Sequence, residues 1–249
     1  MRKLLLLFTA ATAVGAIAAA PQNSSSVAKN AVASQESAVL ATEEPHHHLI
    51  LENSRLRAYE VEVAPHEATL LHLHPEDYVY VVLGASDITN ATIGRPVVKA
   101  QLPDTTFNYV VGPISHIATN NADTPFRNVT IELKRKQGAE KTYYPSVDAA
   151  LADSARPANP GGSRNILETD ELRVAAIKLT PGQVWTPPAS SHPRYFLLID
   201  KMKDSASARE PKAPTFPANM LVWVEGGKKW SLTNYMKTDQ KVVWLDFKD

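Results

Sequence analysis

Hydrophobic and polar residues alternate in short runs along most of the chain after residue 45. The clearest runs are Tyr59, Val61 and Val63, and later Ala175, Ile177 and Leu179. Side chains two positions apart on a strand point to the same face, so each run predicts a β-strand with one buried face. Eighteen prolines and ten glycines interrupt these runs. The pattern predicts an all-β fold, an antiparallel sandwich or barrel with little helix.

Two halves of the chain carry the same pattern. Leu51-Glu52-Asn53-Ser54-Arg55-Leu56-Arg57 returns 116 positions later, beginning at Leu167, and Pro65 and Pro181 follow the two copies at the same distance. Asn120 and Asn234 recur with an offset of 114. An ordered set of similarities indicates an internal repeat. We therefore predict two tandem small antiparallel barrels, with a helix beginning near Val147 between them.

The first 20 residues resemble a secretory signal peptide. Arg2 and Lys3 precede an apolar run, and Ala16-Ile17-Ala18 offers a small-x-small cleavage pattern. The predicted organisation is a signal peptide at 1–20, a flexible leader at 21–45, a first domain at 46–140, a connector at 141–163 and a second domain at 164–249. We expect a secreted or periplasmic protein with no stable membrane span after cleavage.

The composition excludes several classes of function. Lys plus Arg and Asp plus Glu each number 26, so the formal net charge is zero and nucleic acid is not an expected partner. The chain has no cysteine, which excludes disulfides, thiolate metal sites and cysteine nucleophiles. Histidine, carboxylate and hydroxyl chemistry remain.

The segment His72-Leu73-His74 is the sharpest chemical signal in the sequence. Both imidazoles point to the same face of a strand. His116 lies in a second strand-like segment after Gly112-Pro113. Three imidazoles from two strands could hold a divalent ion and leave positions open for water or substrate. The alternative is that these histidines are buried polar residues satisfied by ordinary hydrogen bonds.

This pattern resembles the cupin superfamily. His72, His74 and Gly84 match its first motif, and His116 with Asn120 matches its second. The resemblance implies a two-cupin protein with a jelly-roll-like barrel in each half. It also implies one divalent metal ion (Fe, Mn, Ni, Cu or Zn) bound by His72, His74 and His116.

The first motif departs from the family at one position. Tyr78 stands where a fourth ligand, a glutamate, is expected, and Glu76 follows a proline that interrupts the strand. Some cupins bind iron through three histidines alone, so a metal site remains expected. We predict that Tyr78, Tyr80, His66, Glu67 and Glu76 support the ligands or contact substrate. The tract His46-His47-His48 is interpreted as a solvated polar run, because consecutive side chains cannot all reach one ion.

The second half lacks the ligands. Pro188, Ser190 and Trp230 stand at the positions of His72, His74 and His116, and His192 lies nearby by itself. We expect a metal-free second barrel that pairs with the first domain, covers a sheet edge or forms a homodimer face. Because Asn120 persists as Asn234, we predict that it holds a turn and does not bind metal.

The cupin resemblance implies a metal-dependent oxygenase, isomerase or decarboxylase that acts on a small organic molecule. The alternative is a non-catalytic cupin that binds a small ligand or has a structural role. The sequence motifs of serine hydrolases, P-loop proteins, dinucleotide-binding proteins and His-Glu-x-x-His metalloproteases are absent.

Overall fold

A computed structural model describes residues 38–159, 161–200, 202–203, 215–216 and 220–248. The predicted signal peptide and most of the predicted leader lie outside these residues. In the described part the chain is almost entirely β, with one short 3-10 turn at Ala41–Glu43 and one α-helix, α1, at Val147–Ala152. The all-β prediction is therefore confirmed. No helix in this part of the chain is long and apolar enough to cross a membrane.

The first half contains ten strands. In chain order they are β1 (Val39–Leu40), β2 (His47–Glu52), β3 (Leu56–Val63), β4 (His72–His74), β5 (Asp77–Val82), β6 (Ser86–Thr92), β7 (Val98–Leu102), β8 (Phe107–Val110), β9 (Ile114–Asn120) and β10 (Phe126–Leu133). They form two five-stranded sheets, ordered β1-β4-β9-β6-β7 and β2-β3-β10-β5-β8. The inner faces of these sheets enclose the cavity described below.

The second half also contains ten described strands. They are β11 (Glu140–Thr142), β12 (Arg164–Thr169), β13 (Leu172–Leu179), β14 (Val184–Trp185), β15 (Arg194–Leu198), β16 (Met202–Lys203), β17 (Thr215–Phe216), β18 (Met220–Val224), β19 (Leu232–Thr233) and β20 (Gln240–Phe247). A six-stranded sheet has the order β11-β12-β13-β20-β15-β18, and two pairs, β14-β19 and β16-β17, complete the half.

The register of the central strands confirms the predicted repeat. In the first half β3 pairs with β10 from Leu56 opposite Leu133 to Val63 opposite Phe126. In the second half β13 pairs with β20 from Leu172 opposite Phe247 to Leu179 opposite Gln240. The paired strands have the same length and shift by 116 and 114 positions, as the sequence similarity predicts.

The domain boundaries differ from the prediction at both ends of the first domain. Residues 39–44 belong to the first barrel, because β1 pairs with β4 and the Glu44 side chain is buried inside it. The predicted connector begins with β11, which pairs with β12 in the second sheet. Helix α1 lies where predicted, and the Ser146 hydroxyl caps it by accepting a hydrogen bond from the Ala149 N–H.

The large sheets of the two halves pack against each other. One continuous cluster of buried apolar side chains contains Leu56, Val79, Ile131 and Leu133 from the first half and Leu172, Val174, Leu197 and Leu245 from the second. The outer face of the β3-β10-β5 region is therefore covered by the second half. Of the three roles predicted for the second domain, pairing with the first is confirmed.

Asn120 and Asn234 hold equivalent turns, as predicted. The Asn120 side-chain amide donates to the carbonyls of Val63 and Thr124, and its oxygen accepts from the Ala122 N–H. Asn234 makes the corresponding bonds in the second half. Each asparagine thus fastens the end of one central strand to the start of the other.

Replacing Asn120 with alanine is expected to lower the free energy of unfolding by about 2–4 kcal/mol, because it leaves several buried backbone groups without a partner. The side-chain amide of the exposed neighbour Asn121 donates only to the side chains of Asp87 and Thr89. It makes no bond to the backbone of the turn. Asn121→Ala should change the same quantity by less than about 1 kcal/mol. Urea denaturation measures both, and equal losses would contradict the assigned role.

Candidate metal centre

Four imidazoles meet inside the first barrel. His72 and His74 point inward from β4, and His116 lies directly opposite His72 on β9. His47 enters from β2 on the facing sheet, and its side chain is 4% exposed. The ring centroids of His72 lie 4.6 Å from His47, 4.9 Å from His74 and 4.4 Å from His116. His47, His72 and His74 each offer a nitrogen within 4.8 Å of the others.

Two of these rings are held by buried carboxylates. The Nδ1 atom of His47 lies 2.7 Å from Glu44, and the Nδ1 atom of His74 lies 2.9 Å from Glu132. Both carboxylates are fully enclosed. An ionised carboxylate only accepts hydrogen bonds, so Nδ1 carries the proton in each ring. Nε2 of a neutral ring is then left with a free lone pair, which is the form that binds metal.

The other two rings are held by neutral acceptors. The Nδ1 atom of His72 lies 2.9 Å from the Leu70 carbonyl oxygen, and that of His116 lies 2.7 Å from Oδ1 of Asn90. A carbonyl oxygen also accepts only, so these rings carry their proton on Nδ1 as well. Each of the four imidazoles thus has a partner that fixes its orientation and leaves Nε2 available.

The arrangement of the Nε2 atoms fits a bound cation. Nε2 of His72 and Nε2 of His74 are 3.1 Å apart, although both carry lone pairs and neither has a proton to share. Two nitrogens that each lie about 2.1 Å from one ion have this separation when they subtend roughly a right angle. Nε2 of His116 is buried and has no hydrogen-bond partner. His47, His72 and His74 could together hold a divalent ion, and His116 lies beside them, with its ring centroid 4.4 Å from that of His72.

Burial keeps the imidazoles of His72, His74 and His116 neutral. It lowers the pKa of His72 and of His74 to about 3, and neighbouring His47 lowers both further. Burial also lowers the pKa of His116 well below its usual value, together with the repulsion from His72. Burial opposes ionisation of Glu44, but hydrogen bonds from His47 and His46 outweigh it and hold its pKa at about 2. Neutral rings beside an anionic carboxylate are ready to accept a metal ion.

A cavity of about 510 Å³ adjoins the four imidazoles. Its wall is mostly apolar and includes Val61, Ile88, Ala100, Leu102, Ile114 and Phe126. Tyr78 and Tyr80 line it as predicted, and the ring of Tyr78 lies 4.4 Å from that of His74. Tyr78 therefore packs against a candidate ligand where the family motif has a glutamate.

The other three predicted supporting residues lie elsewhere. His66 is 62% exposed at a turn and contacts Asp123, on the outside of the barrel. Glu67 is also exposed, 3.8 Å from His46. Glu76 does not line the cavity, because Pro75 separates it from the inward-facing part of β4. His66, Glu67 and Glu76 are therefore not among the residues that line the cavity.

Two groups of site residues were missed by the sequence analysis. His47 belongs to the tract that was interpreted as solvated. That argument holds for the tract as a whole, since His48 is exposed, but it does not exclude one member from turning inward. Glu44 and Glu132 were missed because no motif contains them. The alternation along β2 and the proximity of Glu44 to the triple histidine were the available signals.

The second barrel has aromatic residues where the first has imidazoles. The Trp230 ring lies 4.4 Å from Phe196, and Trp185 packs edge-on against Phe196 and Trp244. Pro188 and Ser190 lie on the wall of a separate cavity with Trp230. His192 is partly buried and lies on the same wall.

No family model and no curated protein matches this chain. Solved structures do. Salicylate 1,2-dioxygenase from Pseudoaminobacter salicylatoxidans, in an adduct with gentisate, is 13% identical with a TM-score of 0.57, covering 89% of this chain and 78% of that one. AerE from Microcystis aeruginosa is 9% identical with a TM-score of 0.53, covering 83% and 99%. A cupin 2 conserved barrel domain protein from Leptotrichia buccalis is 10% identical with a TM-score of 0.52, covering 83% and 89%.

The architecture is therefore that of a two-domain cupin, with a cluster of histidines inside the first barrel. The cupin resemblance seen in the sequence is confirmed at the level of the fold. Identities this low show the shared fold and do not transfer an activity.

Proposed function

We propose that the first barrel binds one divalent metal ion and catalyses the oxygenation of a small organic molecule. The convergence of four imidazoles, each oriented through Nδ1, carries this proposal. Buried polar atoms normally have hydrogen-bond partners, so the unpartnered Nε2 of His116 beside the His72–His74 nitrogen pair requires an explanation. A metal ion supplies one.

His47, His72, His74 and His116 would hold the ion. Imidazole ligands suit iron, copper, nickel and zinc, and manganese accepts them with lower affinity. The bound ion would supply Lewis-acid or redox chemistry. Imidazole ligands would not offset the charge of the ion, and the carboxylates of Glu44 and Glu132 contact the imidazoles of His47 and His74 and not the ion. A bound ion would therefore attract an anionic substrate.

The cavity wall would contribute apolar contacts and tyrosine hydroxyls to substrate binding. Apolar side chains exclude water from the space beside the imidazoles and would pack against a hydrophobic substrate. Burial raises the pKa of Tyr78 and of Tyr80, so both phenols stay protonated. The Tyr80 hydroxyl accepts a hydrogen bond from Asn108, which leaves its own proton free to bind a substrate oxygen.

The structural neighbours support an oxygenase over an isomerase or decarboxylase. Salicylate 1,2-dioxygenase shares the two-barrel fold along most of this chain and is seen with gentisate, a small organic molecule. The apolar cavity of this protein would suit a small aromatic or aliphatic compound.

The protein is first loaded with Fe(II) under anaerobic conditions. Oxygen consumption is then measured in aerated buffer, which tests the proposal. We expect consumption with at least one member of a panel of small organic acids and phenols that includes gentisate, and a loss of at least about 100-fold in His72→Ala/His74→Ala, which removes two ligands. The same panel with Glu62→Ala, a surface variant, should match the parent. Stoichiometric iron in the parent with no consumption across the panel would overturn the oxygenase in favour of a non-catalytic binding protein.

A further inference from the structure

The second barrel contains a cavity of its own, of about 460 Å³. Phe196, Val224 and Trp230 form apolar parts of its wall, and Arg194, Lys228 and Lys229 are its cationic side chains. The sequence predicts only structural roles for this half, such as pairing with the first domain. A closed structural core has no need for a cavity of this size with three cations on its wall.

Arg194 occupies the register position of Tyr78 in the repeat. On the first sheet Tyr78 lies opposite Glu132, and on the second Arg194 lies opposite Asp246. In the first barrel the carboxylate at this position orients an imidazole, His74. In the second barrel the histidines are gone, and a guanidinium takes their place as the polar group of the interior.

The guanidinium of Arg194 is buried without adequate partners. Arg194 is 7% exposed, and its Nε has no hydrogen-bond partner. The nearest anion among the described residues, Asp246, lies 3.6 Å from Nε, which is too far for a hydrogen bond. The other contact is with the face of Trp244, at 5.5 Å from the ring centroid. A buried cation is costly unless an anion or several acceptors approach it closely.

The surrounding charges also favour an anion. Lys228 and Lys229 lie on the same wall, and Glu225 is the only acidic residue among the described residues that line the cavity. Glu225 is 3.9 Å from Lys228, and the only described carboxylate near Arg194 is that of Asp246, 3.6 Å from its Nε. The Trp244 ring lies against Arg194, and its buried Nε1 is a second donor without a hydrogen-bond partner. Both unpartnered atoms are donors, so a hydrogen-bond acceptor would satisfy them.

We propose that the second barrel binds a small organic carboxylate with a flat apolar body. The guanidinium of Arg194 presents parallel N–H groups that match a carboxylate, and Lys228 and Lys229 add attraction at the rim. Phe196 and Trp230, whose rings lie 4.4 Å apart, provide the apolar contact surface. This site is separate from the histidine cluster and does not depend on the proposed oxygenase activity.

Tryptophan fluorescence can detect this site selectively. All four tryptophans, Trp185, Trp223, Trp230 and Trp244, lie in the second half of the chain. Benzoate is a suitable probe, and benzamide is its uncharged counterpart. We expect benzoate to change the fluorescence of the parent saturably and benzamide to bind at least about tenfold more weakly, because it lacks the charge that Arg194 would pair with.

Variants locate the binding. Arg194→Gln should weaken benzoate binding at least about tenfold, whereas Arg95→Gln, a change at the mouth of the first cavity, should leave the titration unchanged. If Arg194→Gln does not fold, the exposed pair Lys228→Gln/Lys229→Gln should still weaken binding several-fold. No saturable response in the parent, equal binding of benzoate and benzamide, or loss of the response in Arg95→Gln would each overturn the proposal. Inorganic phosphate binding as tightly as benzoate would replace the organic carboxylate with a simple oxyanion, and would also overturn it.

Discussion

Replacing His72 with alanine is expected to reduce the metal content of the purified protein from about one ion per chain to none. His72 is central to the cluster, since its ring lies within 5 Å of the rings of His47, His74 and His116. Removing it also removes one half of the Nε2 pair. Elemental analysis of protein expressed without a polyhistidine tag measures this directly.

The triple histidine supplies a matched pair of further variants. His47→Ala should lower metal affinity at least about tenfold, because it removes an inward-facing ligand and the partner of Glu44. His48→Ala changes the exposed neighbour and should leave the metal content at the parent value. Full metal content in His47→Ala, with loss in His72→Ala, would restrict the ligand set to His72, His74 and His116, as the sequence predicted. Full content in His72→Ala would refute the site altogether.

Glu132→Ala is expected to have the largest effect on stability, about 3–5 kcal/mol lost from the free energy of unfolding. The Glu132 carboxylate is fully enclosed and accepts hydrogen bonds from His74, Arg57 and Tyr59. Its removal leaves three donors without their acceptor, one of them charged. Burial raises the pKa of Glu132, and the charge of Arg57 and its hydrogen bond partly oppose that rise.

Metal binding would itself stabilise the folded state, so the measurement should use protein freed of metal with a chelator. Urea denaturation of Glu132→Ala is then compared with Glu62→Ala, which breaks an exposed ion pair with Arg127 and should cost no more than about 1 kcal/mol. Glu132→Gln keeps the volume of the side chain and should lose less stability, yet weaken metal binding about 10–100-fold by loosening the His74 ring. A loss in Glu132→Ala no larger than in Glu62→Ala would contradict the assigned network.

The second barrel changes the interpretation of the repeat. Its large sheet covers the outer face of the first barrel. Both copies have the same central strands and the same asparagine turns. Its interior has lost the imidazoles and gained Arg194 and a set of aromatic rings. The two barrels thus pack together through their equivalent central strands and differ in the side chains of their interiors.

The sequence by itself predicted the strands, the repeat and three of the four clustered histidines, His72 and His74 from their spacing and His116 from the cupin motif. It could do so because alternation along a strand is a local property, and residues two apart share a face whatever the rest of the chain does. The internal repeat also predicts that Asn120 and Asn234 play equal roles, because each lies at the same place in its copy.

Only the tertiary structure decided which distant residues join that cluster. His47 lies on the opposite sheet from His72, and Glu132 is 58 positions from His74, so neither relation exists until the two sheets close. The structure also moved His66 and Glu76 away from the site, although they are close to His72 and His74 in sequence. Strand pairing and sheet packing bring together residues that are far apart in the chain, and spacing along the sequence does not record those distances.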